Sequence, residues 1–371
     1  MRTGQASIHP FFREKAILFP VILLCGIGIV MVYSASSAEA IEKHGTAFFF
    51  MKKQAWFFMI SLGVMFVASS MPYKVYKKIS YLILAAAVGL LCAVLIPGIG
   101  IEVQGSQRWL KLGPVNFQPA EYAKLALVIF LGYSLSKKQD MIKSFSVGFV
   151  PHVLILGLLA SLIIAQPDFG TIMVMGAITW AMMFIAGVKI LHLLVPAPMI
   201  IPLIYLLVSH SEYRMKRITG FLNPWGDPFD KGFQLIHSFK AFGSGGIFGK
   251  GLGMGIQKLH YLPEPHTDFI FSVIGEELGL LGGLSILGLY LVLLSRGMKI
   301  ARTCKDSFGA ITAAGLTFYI GIQVIINTGV TMGLLPTKGL TLPFISYGGT
   351  SLLMSMTAMG ILINIGASQG Q

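Results

Sequence analysis

Three ionisable side chains lie where a long polar segment runs into an apolar one. Residues 262–271 read LPEPHTDFIF, which puts Glu264, His266 and Asp268 at the edge of the apolar run. Charged groups beside a membrane-length segment are costly to keep there, and they are therefore candidates for function. A carboxylate in this position can take a proton from a substrate hydroxyl. Asp268 can equally cap a helix beginning at Phe269, since Asp is a favoured N-cap residue.

Two further carboxylates follow in the same apolar region. Glu276 and Glu277 are adjacent, and they lie too far into the predicted helix to act as its caps. A buried charge needs a partner. We therefore expect both side chains to point either into the protein or towards an interface.

A second motif, QPAEYAK, pairs an acid with a base at helical spacing. Pro119 suits the first turn of a helix, and Glu121 and Lys124 lie three residues apart on one face. One interpretation is a private ion pair that steadies a short span. The other is a substrate site in which Lys124 binds an anion and Glu121 orients it.

A third motif, GSQRWLKLG, places Arg108 and Lys111 on either side of Trp109, just outside a span. Tryptophan at this depth is an ordinary interfacial anchor. Two cations beside an amphipathic ring also suit a phosphorylated lipid headgroup. Both interpretations stay open for Arg108 and Trp109.

A fourth motif, PTKGLTLPFISYGG, contains one cation in a short turn. Lys338 has no charged neighbour in sequence, and its long side chain can snorkel to water. Alternatively, Lys338 reaches into a central cavity and meets an anion there. Ser346 and Tyr347 would then supply hydroxyl groups lower in the same cavity.

The elements that must position these residues are membrane helices. The chain is 55% hydrophobic and 12% charged, with a mean hydropathy of +0.76, and an apolar run of about 20 residues crosses a bilayer. Ten apolar runs are found at 17–35, 54–71, 79–97, 120–135, 147–165, 171–187, 190–209, 278–295, 308–333 and 341–365. We expect an all-α polytopic membrane protein with about ten transmembrane helices. The fourth run is short, and the sixth and seventh runs are separated by only a few residues. A count of nine or eleven transmembrane helices therefore also fits the sequence.

Lysine and arginine in the short loops predict the orientation. These cations are Arg2, Arg13 and Lys15 before the first run, Lys74, Lys77 and Lys78 after the second, Lys137, Lys138 and Lys143 after the fourth, and Arg296, Lys299, Arg302 and Lys305 after the eighth. We therefore expect both termini in the cytoplasm. The first run is long and lacks a small-residue cleavage site, so we expect a retained helix and not a removed signal peptide.

Residues 210–268 form the largest predicted extracytoplasmic loop, between helices 7 and 8 of a single domain, 1–371. Its cations are Arg214, Lys216, Arg217, Lys231, Lys240, Lys250 and Lys258. The bias towards cytoplasmic cations does not explain them, so they indicate either an anionic ligand or lipid headgroups. Cys25, Cys92 and Cys304 suggest no disulfide and no metal site.

Two stretches of this loop have local patterns. In FQLIHSFKAF the apolar positions recur near helical spacing, which predicts an interfacial amphipathic helix. The run GSGGIFGKGLGMG only partly matches a phosphate loop, because Ser244 replaces a required Gly and Gly251 replaces a required Ser or Thr. We interpret this run as a flexible loop.

Together the motifs resemble one known family. QRWLKLG, FQPAEYAK, AQPDFGT, RITGFLNPW, FGSGGIFGKGLGMGIQKLHYLPEPHTDFIFSVIGEELG and PTKGLTLPFISYGGTS look like the signature blocks of the shape, elongation, division and sporulation family. The blocks extend from residue 107 to the last helix. The wording of TKGLTLP and NPWGDPF is closer to the division members than to the elongation members. His260 is a departure, because close division members often carry an acidic residue there.

This resemblance implies a bacterial peptidoglycan glycosyltransferase that polymerises lipid II on the outer face of the inner membrane, at the division septum. It implies ten helices and a class B penicillin-binding protein partner among the divisome proteins. The essential aspartate of the family falls on Asp268. Arg108, Trp109, Glu121, Lys124 and Lys338 match other motif positions. No cofactor is implied, and assistance by a divalent cation is left open.

The chemistry agrees with that implication. Joining a sugar hydroxyl to an anomeric carbon that bears a lipid diphosphate needs one base, and it needs cations for the leaving group. If an α-linked donor gives a β-linked product, a single displacement suffices without a second carboxylate. Three alternatives are a lipid II flippase or transporter, an elongation-type polymerase, and a scaffold without chemistry. Paired broken helices in two related halves would favour a transporter, and charges in the spans argue against a scaffold.

Overall fold

The computed structural model describes residues 9–370, except 104–105, 114, 138, 197, 199–201, 203–204, 207–208 and 260–261. The predicted run at 190–209 lies partly outside these residues, and Arg2, Lys138 and His260 lie wholly outside them.

Helices make up most of the described chain. The first group is α1 (Pro10–Arg13), α2 (Lys15–His44), α3 (Phe49–Ser70), α4 (Tyr73–Lys78), α5 (Ser80–Leu95), α6 (Pro119–Lys137), α7 (Val150–Ile164) and α8 (Phe169–Ala186). The second group is α9 (Ile190–Leu194), α10 (Glu212–Leu222), α11 (Phe233–Gly245), α12 (Ile270–Thr303), α13 (Ser307–Thr331) and α14 (Gly349–Ala367). A π-helical turn, Phe145–Phe149, leads into α7.

Seven of the described helices are long and apolar enough to cross a membrane: α2, α3, α7 with its leading turn, α8, α12, α13 and α14. Helix α5 is apolar but has only 16 residues, and the 19-residue α6 carries Glu121 and Lys124. The multi-pass membrane prediction is confirmed. The count of ten helices stays a prediction.

Two helices differ in extent from their predicted apolar runs. Helix α12 extends the predicted run at 278–295 back to Ile270, next to the helix start considered for an Asp268 cap, because Glu276 and Glu277 are buried and paired and do not interrupt it. Helix α14 begins at Gly349 and not near residue 341. The segment before it contains Pro343, which has no backbone N–H to donate within a helix.

A small sheet corrects the all-α prediction. Strands β1 (Gly100–Val103), β2 (Ser106–Leu112) and β3 (Val115–Phe117) pair antiparallel in the order β1-β2-β3. Leu110 lies opposite Gly100 on one side and Phe117 on the other. Gly113, directly after β2, has a φ of 63°, a left-handed conformation that favours glycine. The sheet packs on α5 and α6.

Helices α2 and α12 are tied together at two levels. Glu14, just before α2, makes a bidentate ion pair with Arg296 at 2.8 and 2.9 Å. Farther along α2, the Ser34 hydroxyl donates to Glu277 at 2.7 Å. The two helices therefore run antiparallel. The core is centred on α13 and α14. In the apolar stretch of each helix, 72% and 89% of the residues are buried, respectively.

The predicted amphipathic helix exists as α11, and it packs on the protein. Ile236 is buried, and the Ser238 hydroxyl lies 2.6 Å from that of Ser272 at the start of α12. The ring of Phe242 contacts that of Phe271 at 5.8 Å. Helix α11 thereby fixes the end of α12 that follows the HTDF motif.

Candidate active site

A polar cavity of about 790 Å³ lies beside the start of α12. Its acidic lining residues are Glu39, Glu42, Asp230, Glu264 and Asp268. Its basic lining residues are Lys43, Lys216, Arg217, Lys231, Lys258 and Lys338. The cavity brings together cations from the end of α2, from the segment 210–268 and from the turn at Lys338. It can therefore hold an anionic ligand next to carboxylates that accept protons.

Three consecutive backbone carbonyls of the HTDF motif are fixed by donors from distant parts of the chain. These hydrogen bonds are Tyr347 N to His266 O at 2.9 Å, Ser346 Oγ to Thr267 O at 2.6 Å, and Asn327 Nδ2 to Asp268 O at 2.9 Å. Asn327 Nδ2 also donates to Leu340 O at 2.6 Å. The backbone of Asp268 is thus held against the segment that carries Lys338.

The Asp268 side chain faces the cavity and does not cap a helix. The N-cap of α12 is Phe269, so the capping interpretation of Asp268 is wrong. A Cβ atom at Gly339 would lie 2.9 Å from Asp268 Oδ2, so glycine at this position lets the carboxylate lie close to the turn that carries Lys338. Asp268 is half-buried, and no hydrogen bond to its carboxylate is found within the described residues. The carboxylate is therefore available to a ligand.

The surroundings move the pKa values of two cavity groups towards neutrality. Burial raises the pKa of Asp268 to about 7, with the charges of Glu264 and Asp168 adding to the rise and Arg217 opposing it. Burial lowers the pKa of Lys338 to about 8, with Asp168 opposing this shift and Arg217 adding to it. A base that ionises near pH 7 is well matched to proton transfer under physiological conditions.

Two cations converge on one aromatic ring at the cavity edge. Lys338 Nζ and the Arg214 guanidinium each lie 5.5 Å from the centroid of Phe169, the first residue of α8. Arg217 donates to the Thr337 carbonyl at 3.2 Å, which brings a third cation to the same turn. Clustered cations of this kind suit a phosphate or diphosphate group.

The structure places Arg108 and Trp109 outside the cavity lining. Arg108 donates from Nε to Gln166 O at 2.9 Å and from Nη2 to Pro167 O at 2.6 Å. It therefore fastens β2 to the turn between α7 and α8. Trp109, the next residue of β2, is half-buried. Substrate binding by Arg108 and Trp109 stays a prediction.

Glu121 and Lys124 form a buried ion pair within α6, on the face that meets α13, also outside the cavity lining. Lys124 Nζ lies 2.7 Å from Glu121 Oε1 and 2.7 Å from Gln323 Oε1, and the lysine is fully buried. Its ammonium also lies 5.6 Å from the Tyr319 ring centroid. This geometry favours the private ion pair. Ser346 is buried as well, and its hydroxyl is occupied by the Thr267 carbonyl and the Leu342 N–H.

Comparisons with known proteins show which family the chain belongs to. The model of the cell cycle protein family that groups FtsW, RodA and SpoVE matches residues 15–371. The chain belongs to this family. A probable peptidoglycan glycosyltransferase FtsW from Geobacter sulfurreducens is 46% identical over 95% of this chain and 94% of that protein. Stage V sporulation protein E from Bacillus subtilis is 45% identical over 93% of this chain and 94% of that protein.

A solved structure extends the similarity to the fold. The relevant chain comes from a study of how a peptidoglycan synthase complex coordinates polymerization and crosslinking. It matches 96% of this chain and 98% of its own length, with a TM-score of 0.78 and 28% identity. The family fold therefore extends over almost the whole chain.

Several residues that line or support the cavity were not predicted from the sequence. Glu39, Glu42 and Lys43 lie at the end of α2, and they resemble an ordinary solvated helix end. Asn327 is a polar side chain inside the apolar helix α13. A buried amide needs hydrogen-bond partners, so the position of Asn327 within an apolar run could have predicted a structural role. The charges at the end of α2 have no such distinguishing feature in the sequence.

The glycine-rich run and the three residues that follow it hold two carboxylates of the protein itself. Backbone N–H groups of Ile256 and Gln257 donate to the Glu276 carboxylate, at 3.0 and 3.1 Å, and that of Gly253 donates to Glu277 at 3.0 Å. The lysine partners are Lys250 for Glu276, at 2.8 Å, and Lys258 for Glu277, at 2.7 Å. Both carboxylates therefore point into the protein, and the run is a loop that clamps the start of α12.

Among the residues that the structure describes, no group of three His, Cys, Asp or Glu side chains could hold a metal ion. Cys25, Cys92 and Cys304 are free.

Proposed function

We propose that this chain is a peptidoglycan glycosyltransferase that polymerises lipid II and releases undecaprenyl diphosphate. Its membership of the family and its identity to proteins named FtsW support this function. The observation that carries the chemistry is the meeting of Asp268 and Lys338 in one polar cavity. A base and a cation are the two groups that the transfer requires.

In the reaction, Asp268 accepts the proton of the attacking sugar hydroxyl. The hydroxyl oxygen forms a bond to the anomeric carbon of the donor, and the bond from that carbon to the diphosphate oxygen breaks. The electron pair leaves with the diphosphate, whose developing charge is stabilised by Lys338 and Arg217. A single displacement converts an α-linked donor into a β-1,4 product. Ser346 acts indirectly, because it holds the backbone next to Asp268.

The topology that fits this function is a single domain, 1–371, with ten transmembrane helices and both termini in the cytoplasm. Residues 210–268 then form a loop on the extracytoplasmic side. The pair Glu14–Arg296 marks the cytoplasmic end, because cations cluster after Arg296. The cavity lies at the opposite end of α2, where the headgroup of an outer-leaflet lipid is within reach.

The partner is a class B penicillin-binding protein, and the site of action is the division septum. The similarity to a chain of a peptidoglycan synthase complex supports a transpeptidase partner. The names of the FtsW relatives support a septal location.

The test is to supply lipid II in detergent to the purified chain, with and without the transpeptidase. Detergent removes the bilayer, so flipping yields no product and a glycosyltransferase yields glycan chains on a gel. Chains formed by the wild-type protein support the proposal. Unconsumed lipid II in both samples, beside an active control polymerase, contradicts it.

A further inference from the structure

A second cavity, of about 460 Å³, is lined only by apolar residues. Seven of them come from α2, between Phe19 and Met31, and the others are Leu252 and Leu278. Several of these side chains are open to the surroundings, including Phe19, which is 66% exposed, and Val30, which is 48% exposed. In a membrane-spanning helix this exposure faces lipid. The cavity is therefore a groove that a hydrocarbon chain can enter from the bilayer.

The groove lies within the hydrocarbon layer. Glu14 pairs with Arg296 at one level, and Ser34 bonds Glu277 at the other. Ser34 follows Glu14 by 20 residues, which is about 30 Å of helix and close to the thickness of the hydrocarbon layer. The groove extends along α2 from Met31 down to Phe19, which lies about 22 Å below Ser34. It therefore passes the midplane of the bilayer, deeper than the chains of one leaflet extend.

The same helix connects the groove to the polar cavity. Beyond Ser34, α2 contributes Glu39 and Lys43 to the polar cavity. Lys258 lines the polar cavity, and its Nζ donates to Ser34 at 2.8 Å and to Glu277 at 2.7 Å. An apolar groove thus ends directly below a charged cavity, which matches an amphiphile with an anionic head and one long tail.

We infer that this groove holds the polyprenyl chain of the lipid-linked substrate while its diphosphate lies in the polar cavity. The inference rests on the proposed function and adds a subsite to it. Passage beyond the midplane favours a polyprenyl chain over a phospholipid chain as the occupant. Leu252 and Leu278 complete the groove because the clamp on Glu276 and Glu277 holds their two segments together.

Gly26 offers a direct test, because it lines the groove and a Cβ atom there meets nothing within 4 Å. Gly26→Leu fills the groove without disturbing the packing of the protein. Gly63→Leu is the matched control, since Gly63 is also an exposed glycine of a spanning helix with nothing within 4 Å, and it lies outside the groove. Both variants are assayed in the full-length chain with lipid II carrying a long or a short polyprenyl chain.

We expect Gly26→Leu to raise KM for the long-chain substrate by about tenfold, because it displaces several buried methylene groups. With the short-chain substrate Gly26→Leu should match the wild type, and Gly63→Leu should match the wild type with both. An unchanged KM in Gly26→Leu, or equal impairment with both substrates, overturns the inference and points to ordinary phospholipid in the groove. A wild-type protein inactive on both substrates would instead contradict the proposed function.

Discussion

Asp268 and Lys338 are two single residues whose protonation states set the pH dependence of the reaction. The rate requires ionised Asp268, so it rises as pH passes the carboxyl pKa of about 7. It also requires charged Lys338, so it falls as pH passes about 8. We expect a bell-shaped profile of kcat/KM with a narrow optimum between these values.

Lys338→Arg isolates the alkaline limb of this profile. Arginine keeps its charge throughout the range, so the fall near pH 8 should disappear while the rise near pH 7 remains. The measurement is glycan synthesis from lipid II between pH 5.5 and 9.5. An alkaline limb that stays near pH 8 in this variant would assign it to another group.

The buried pair Glu121–Lys124 gives a second prediction for single residues. Lys124→Met leaves the Glu121 carboxylate unpaired, which should destabilise the protein by about 3 to 5 kcal/mol. The double variant Glu121→Gln with Lys124→Met removes this charge. Because the pair lies outside the cavity lining, both stability and glycan synthesis should recover in the double variant. A double variant that is stable but inactive would instead place the pair in substrate binding.

Between elements, Asn327 is the link that holds the HTDF motif against the segment with Lys338. Its amide donates to the carbonyls of Asp268 and Leu340. Asn327→Ala should lower kcat on the order of a hundredfold with little change in KM, since small misplacements of a catalytic group are costly. Loss of two hydrogen bonds should also cost about 1 to 3 kcal/mol of stability.

Asn364 in α14 is the matched control for this substitution. It is equally buried, donates to Ser69 O at 2.7 Å and accepts from Tyr73 N at 2.8 Å. Asn364→Ala should lower thermal stability to a similar degree while kcat stays near wild type. If the two variants lose activity in proportion to stability, Asn327 has only a structural role.

The elements also show what the sequence could predict. Most spans were predicted because hydropathy is a local property of the chain. The apolar run at 278–295 left out the first turns of α12, because the partners of Glu276 and Glu277 lie in a loop about 20 residues upstream. The sheet at residues 100–117 was missed because three short strands give a weak periodic signal.

The site was predictable only in part for the same reason. Asp268 and Lys338 stand out as charges beside apolar runs, and the cavity contains both. Three other features depend on contacts between residues that are distant in sequence. They are the α2 residues in the cavity lining, the hydrogen bond from Asn327 to Asp268 O, and the hydrogen bond from Arg108 to Gln166 O. Sequence spacing alone cannot reveal such contacts.

For the whole molecule, the fold separates a charged cavity from an apolar groove along one helix. Helix α2 borders both, and the cluster of Ser34, Glu277 and Lys258 divides them. A lipid-borne substrate can therefore react at the membrane surface while its tail stays in the bilayer. The central claim is that Asp268 is the base of this reaction.

That claim is tested most directly by comparing wild-type protein and Asp268→Asn in glycan synthesis from lipid II. The amide keeps the shape of the side chain but cannot accept the proton, so we expect no glycan chains from the variant. The melting temperature and the amount of protein inserted into the membrane should be at least those of the wild type, because the variant removes a half-buried charge. Glycan synthesis by Asp268→Asn at near wild-type rate would contradict the account.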